Sequence, residues 1–290
     1  MGNHSSVSAA TGSGALSHDE ILRFASLYPS EPGTLAHGLA SHPLLTLDAL
    51  ADACERVDPA NLLCHAAKNR NGQGFAPSER PDQSIGDTVR AIADAGRYVM
   101  MSFVEQLPDY AELMRATIAE LGPAIHPKTG EPLQLRAFLF ISSPGTLAPF
   151  HFDAEYNVLF QIAGTKDFAL YPPVAPWISE ASNERYHRTG DNLLPWCDSF
   201  AEQARRVLLG PGDALFVPYR WPHWVSVGSE PSISLSFTWN SRAGFEQNDA
   251  YRLNALLRRF GLSPASPAPL PARSAARSVA WRALSRLRLA

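Results

Sequence analysis

Two residue types with metal-binding chemistry stand one position apart in His151-Phe152-Asp153. On a strand, side chains two positions apart project to one face, so the imidazole and the carboxylate are expected together while Phe152 points away. A third donor comes with His223 in Trp221-Pro222-His223-Trp224, after the turn Gly210-Pro211-Gly212-Asp213 and the apolar run from Ala214 to Pro218. A sheet that folds over brings His223 opposite the first pair. Two imidazoles and a carboxylate take one side of a divalent ion and leave the remaining positions open for a bidentate cosubstrate and oxygen, the donor pattern of non-haem Fe(II) oxygenases. Zinc accepts the same atoms, so a zinc-dependent hydrolase or isomerase is a third reading.

Lys166 stands fifteen residues after His151, beyond Gly164-Thr165, where the chain is expected to return antiparallel to the strand carrying His151. An ammonium deep in a barrel needs an anion, and the distal carboxylate of 2-oxoglutarate supplies one while its keto acid end chelates the metal. The competing reading is a solvated turn lysine.

The stretch HFDAEYNVLFQIAGTKDFALYPP, followed by GPGDALFVPYRWPHW and SISLSFTW, resembles the JmjC-type cupin family (cupin-like domain 8), to which asparaginyl hydroxylases belong. The likeness covers about 133 to 239 and rests on the His-x-Asp pair, Asn157, Gln161 to Lys166, Tyr171 to Pro173 and His223. It implies a mainly β fold with flanking helices, a double-stranded β-helix of the cupin or jelly-roll type. It also implies Fe(II) held by His151, Asp153 and His223, and 2-oxoglutarate held by Lys166 with help from Asn157. Two departures bear on the cosubstrate. A Thr commonly stands three residues before the first His, where this chain has Ala148; either Thr146 substitutes or 2-oxoglutarate binds differently. On the last core strand some relatives place an Asn, and the matching position here is Ser236, with Thr238 and Asn240 nearby.

The elements that must position these residues fall into four parts: a flexible leader over 1–16, a helical part over 17–132 that packs on the barrel, the barrel over 133–245, and C-terminal helices over 246–290 with a Pro-rich linker at 263–271. Ser17 to Glu20 reads as a capping box opening a helix through Leu27, and Thr46 as the cap of a second through Val57. A third helical pattern covers Ile85 to Ala95, a strand Tyr98 to Val104, and a further helix Tyr110 to Leu121, ended by Gly122-Pro123. Short β-type runs then follow at 133–142, 158–163, 168–171, 207–209, 214–217, 223–227 and 232–239, an antiparallel sandwich or barrel pattern. The segment between Pro172 and Ala204 has the character of a lid or binding loop, with Tyr186, His187, Arg188 and Asp191 as substrate-contact candidates. Trp221 and Trp224 are a substrate wall or, equally, core. The helix from Asn248 to Phe260 and an Arg-rich helix from Arg273 to Arg288 close the chain. The latter suits an acidic or membrane partner, but the preferred reading is packing on a neighbouring subunit, a homodimer through the C-terminal helices.

Of 290 residues 45% are hydrophobic and 18% charged, with 25 basic against 28 acidic side chains, so the composition is globular and excludes disorder. The near balance argues against general nucleic-acid binding, and no apolar stretch has the length of a membrane span. Cys54, Cys64 and Cys197 lack the spacing of a disulfide framework or thiolate zinc site, in keeping with a reducing, cytoplasmic setting. Met1-Gly2 with Ser6 formally fits an N-myristoylation pattern, and a plain tail is the preferred reading. The basic residues are Arg apart from Lys68, Lys128 and Lys166, a skew expected of a GC-rich bacterial genome. Two functions follow: a 2-oxoglutarate-dependent dioxygenase that hydroxylates a protein side chain or small molecule, or a catalytically silent cupin-like binding or sensor module.

Overall fold

A computed structural model describes residues 14–287 apart from 68, 76, 79, 80 and 82. The N-myristoylation pattern and nearly all of the leader lie outside the described residues. Eleven strands build the described fold: β1 (Gly33–Ala36), β2 (Leu62–Ala66), β3 (Arg97–Ser102), β4 (Leu133–Ser142), β5 (Leu147–His151), β6 (Tyr156–Ala163), β7 (Lys166–Leu170), β8 (Arg205–Leu209), β9 (Asp213–Val217), β10 (His223–Val227) and β11 (Ser232–Asn240). They form a seven-stranded sheet in the order β1-β9-β6-β11-β4-β3-β2 and a four-stranded sheet in the order β5-β10-β7-β8. All neighbours are antiparallel, and consecutive strands of 133–245 alternate between the sheets except for the adjacent pair β7 and β8, as in a double-stranded β-helix.

β11 shows how the sequence divides the two faces of the large sheet. All nine of its residues are buried. Leu235, Phe237 and Trp239 turn to the outer, helix-covered side. There Trp239 stacks with Tyr156 and Phe216 and meets Phe24 and Tyr28 of the N-terminal segment. Ser232, Ser234, Ser236 and Thr238 alternate with these and face inward, so the barrel interior receives small hydroxyls where a packed core would receive aliphatics. Ser232 and Ser234 are bonded to Gln161 at 2.9 and 2.7 Å. Gln161 also donates to the carbonyls of Ala163 and Gly164, which pins the turn before Lys166. Gly164 adopts φ 63°, and a Cβ there would lie 2.1 Å from the Pro231 carbonyl oxygen, so only glycine closes this turn.

The helices are α1 (His18–Leu27), α2 (Leu47–Arg56), α3 (Ile85–Arg90), α4 (Pro108–Thr129), α5 (Glu180–Thr189), α6 (Arg242–Arg259) and α7 (Ala275–Arg286). Ser17 and Thr46 cap α1 and α2 as their sequence suggests. Several expectations change. The 17–132 part is not only helical, since β1 joins one edge of the large sheet and β3 and β2 the other. α4 does not stop at Gly122-Pro123 but runs on to Thr129. The buried Leu121, Gly122, Ala124 and Ile125 hold it to the core through its two internal prolines, and Gly130 at φ 78° ends it. Ala91 to Ala95 continue α3 as turns rather than helix.

The proline-rich segment 263–271 is a strap along α6, not a free linker. The Asn254 and Gln247 amides donate to the carbonyls of Ala265 and Ala268 at 3.0 and 2.8 Å. α7 packs on α6 of its own chain, where Asp249 accepts from Ser278 and Arg282 and Glu246 pairs with Arg273, while Val279 and Leu287 are exposed. No helix among the described residues is long and apolar enough to cross a membrane.

Candidate metal centre

A cavity of about 500 Å³ lies between the two sheets. From the small sheet and its connections come Thr146, Ala148, His151, Asp153, Lys166, Phe168, His223, Val225 and Val227. Asn157, Ser236, Thr238, Phe138, Phe140, Ser142, Tyr98 and His65 face them from the large one.

His151 and His223 are direct partners across β5 and β10, so their side chains share a face, with ring centroids 4.3 Å apart. The pairing passes a bulge: Val225 is opposite Ala148, so three steps on β5 span two on β10. The extra residue lies in Pro149-Phe150, where proline's missing N–H costs no ladder bond. The bulge shifts the alternation by one, which is why Ala148 and His151 both line the cavity. Phe150 turns outward onto Tyr171, Trp196 and Phe200.

β5 ends at His151, so the His-x-Asp pair does not lie on one strand as its spacing suggests. Phe152 still turns away, fully buried against Tyr186 at 5.1 Å, and Asp153 returns to the cavity from the following loop. Its Oδ2 is 3.9 Å from His151 Nε2 and 3.7 Å from His223 Nε2, and its Oδ1 accepts from the Asn192 amide at 3.3 Å. Donors about 2.1 Å from one ion at roughly 90–110° stand about 3.0–3.4 Å apart, so an ion needs them to close by a few tenths of an ångström. Asp153 is the side chain free to do so, with 31% of it exposed against 11% and 5% for the histidines. Both rings present Nε2. The Nδ1–H of His151 donates to the Pro149 carbonyl at 2.6 Å and that of His223 to the Trp221 carbonyl at 2.9 Å, which fixes the tautomer a metal ligand requires. Burial, and then the neighbouring His151, hold the His223 imidazole well below its usual pKa and therefore neutral.

Lys166 opens β7 and is 5% exposed. β7 is not the antiparallel neighbour of β5: both pair with β10, which lies between them, so they run parallel. The lysine still reaches the shared cavity, where Nζ sits 5.2 Å from the Phe140 ring centre and no carboxylate among the described residues pairs with it. Burial lowers its pKa to about 7. The solvated turn reading does not survive that environment. Side-chain hydroxyls of Ser142, Ser236 and Thr238, all cavity residues, are buried without a hydrogen-bond partner. An unpaired cation and orphaned hydroxyls in one cavity are what a bound dianion with polar ends would satisfy. Thr146 lines the same cavity, but its hydroxyl donates to the Ser143 carbonyl at 2.6 Å, so it offers only lone pairs. Ala148 offers no polar atom.

Other candidates fall elsewhere. Trp224 is core, donating to the Tyr171 hydroxyl with Arg206 over its ring, and Trp221 packs beside the cavity without lining it. Tyr186, His187, Arg188 and Asp191 all miss the cavity; His187 stacks on Tyr251 and Asp191 pairs with Arg185. The segment after Pro172 contributes Asn192 instead, and its Trp196 and Phe200 cover the outside of the small sheet. Tyr98 and His65 line the cavity as well, because β3 and β2 extend the large sheet beyond β4, and Phe75 and Glu155 line it from loops. Burial, and then Asp153, raise the Glu155 carboxyl to about 7.

The sequence profile of the cupin-like domain family matches residues 65–245. The chain is 30% identical over 133 residues to "Lysine-specific demethylase JMJ31" of Arabidopsis thaliana, covering 41% of this chain and 24% of that protein. It is 31% identical over 107 residues to "Jumonji C domain-containing protein 5" of Drosophila melanogaster, covering 34% and 26%. To "tRNA wybutosine-synthesizing protein 5" of Danio rerio it is 28% identical over 137 residues, covering 46% and 42%. The match thus spans about a quarter of the first two relatives. A crystal structure of E. coli ycfD shares the fold with a TM-score of 0.53 and 15% identity, covering 92% of this chain and 67% of that one.

Proposed function

The chain belongs to the cupin-like domain family, and from that premise we propose that it is an Fe(II)- and 2-oxoglutarate-dependent oxygenase that hydroxylates a protein side chain or a small molecule. The observation that carries the reading is Lys166, a buried ammonium without an anion in the same cavity as the two histidines and Asp153.

In this reading His151, Asp153 and His223 hold the iron, and Lys166 neutralises the distal carboxylate of 2-oxoglutarate. Asn157 through its side-chain amide N–H and Ser236 through its hydroxyl donate to the cosubstrate from the large sheet, and Thr146 shapes the pocket as an acceptor. Bound iron and 2-oxoglutarate supply oxygen activation and C–H oxidation, with succinate and carbon dioxide as co-products. The chain orients both groups, keeps the His223 imidazole neutral and excludes water with Phe138, Phe140, Phe168 and Val225. A homodimer through the C-terminal helices is part of the proposal, and sedimentation velocity measures it.

A silent binding or sensor module is favoured by one observation: with Ala148 apolar and the Thr146 hydrogen engaged, Lys166 meets the carboxylate without help from β5. Succinate release from 2-oxoglutarate by iron-loaded protein separates the two. The oxygenase turns over and Asp153→Ala does not, whereas equal release by both contradicts the assignment. A zinc hydrolase leaves Lys166 without a role.

A further inference from the structure

Arg220 combines three features that each cost stability. It is a non-glycine residue at φ 63°, in the left-handed region that side chains disfavour. Its side chain is buried, the residue being 9% exposed. No carboxylate among the described residues pairs with its guanidinium, and its Nε is buried without a partner. A chain tolerates such a residue when its surroundings hold it in place for some purpose.

The surroundings are specific. One guanidinium nitrogen donates to Gln247 Oε1 at 3.1 Å and to the Tyr251 hydroxyl at 2.6 Å, and the guanidinium lies 4.8 Å from the Tyr251 ring centre. Both partners belong to α6, outside the barrel. The backbone at the other end of the residue faces the metal centre. The Arg220 N–H donates to the Asp153 carbonyl at 2.9 Å, and the next residue, Trp221, offers the carbonyl that takes the His223 Nδ1–H at 2.9 Å. Two adjacent residues of one turn therefore hold two of the three candidate ligands, and the turn itself is tied to α6 by one side chain.

We propose that Arg220 is a positioning residue that clamps this turn to α6 and so sets Asp153 and His223 at the separation a divalent ion requires. The inference rests on the metal-centre reading above and extends it from the cavity wall to a helix that never touches the cavity. The loop carrying Asp153 is the more exposed side of the triad, so losing the clamp falls first on the Asp153 to His223 distance.

The test is a titration of the metal-free full chain with Co(II), without 2-oxoglutarate, followed by visible absorption, with thermal unfolding measured on the same samples. Arg220→Gly keeps the left-handed turn without strain and removes only the clamp, and Arg220→Met keeps the apolar stem. Both are expected to weaken Co(II) binding by roughly 10- to 100-fold and to alter the absorption bands, the usual range when support behind a ligand is lost. Tyr251→Phe removes one acceptor and is expected to show a smaller loss in the same direction. Arg273→Ala breaks the pair with Glu246 on the same helix and is expected to bind Co(II) like wild type, which separates the clamp from a general loosening of α6. A folded Arg220→Gly or Arg220→Met with wild-type affinity and spectrum overturns the proposal. If both fail to fold, unchanged binding by Tyr251→Phe overturns it. Equal Co(II) binding by wild type and Asp153→Ala shows instead that the metal-centre reading has failed, and this inference with it.

Discussion

Lys166 and His223 lie on neighbouring strands of one sheet, β7 and β10, at opposite ends of a short ladder: Lys166 is opposite Val227 and His223 opposite Leu170. Both side chains enter the same cavity. The three residues between the ends of this ladder on each strand set a distance that neither local sequence encodes, and a two-ended ligand such as 2-oxoglutarate suits it, with the keto acid at the metal and the distal carboxylate at the lysine.

Replacing Lys166 tests the far end of that span. Lys166→Ala leaves a carboxylate desolvated without a partner, which costs on the order of 2–5 kcal/mol, or roughly thirty- to several-thousand-fold in cosubstrate affinity, while metal binding is retained. Lys166→Arg is impaired as well, because a planar fork replaces a point charge in a closed space. Calorimetric titration with 2-oxoglutarate reads the effect, and equal affinity in wild type and Lys166→Ala contradicts it.

The same lysine gives the protein a pH dependence. Burial pushes its pKa down to about 7, while in the unfolded chain the amine keeps its proton to about pH 10. Between these values the unfolded state binds more protons, so this group's stability contribution is fully present above about pH 10 and is lost as pH falls toward 7. A carboxylate beside the amine favours the charged form, so above pH 7 cosubstrate binding takes up a proton and its apparent affinity falls by up to about tenfold per pH unit. Calorimetry at pH 8 in two buffers of different ionisation enthalpy measures the uptake; identical heats in both would count against it.

Stability rests on the opposite face of the large sheet. Trp239 is fully buried among Tyr28, Tyr156, Phe24 and Phe216, so Trp239→Ala is expected to cost about 3–5 kcal/mol in chemical denaturation. Its side chain points away from the cavity, and Co(II) affinity of the folded fraction is expected to be unchanged. A loss below about 1 kcal/mol would contradict the assignment of this cluster as core.

The strands from Leu133 to Asn240 were legible because each is a short β-rich run bounded by Gly or Pro turns, and because the ligand-type residues recur at fixed places along them. Three kinds of feature were not. β1 and β2 are short pieces among helices that only pairing with β9 and β3 makes strands, and β3, though expected as a strand, lies outside the expected barrel, so no local pattern places Tyr98 and His65 in the cavity. The bulge at Pro149-Phe150 alters the alternation that a spacing argument assumes, and Asp153 reaches the site from a loop. Arg220 and Asn192 act through contacts more than twenty residues distant in sequence, which no local pattern carries.

The most direct test of the central claim is an anaerobic titration of metal-free protein with Fe(II) and then 2-oxoglutarate, watched for the weak visible metal-to-ligand charge-transfer band. The account predicts a band in wild type that needs both additions, saturates at one equivalent of each and is absent from Asp153→Ala. Saturating Fe(II) and 2-oxoglutarate without a band, or an equal band in Asp153→Ala, would contradict it.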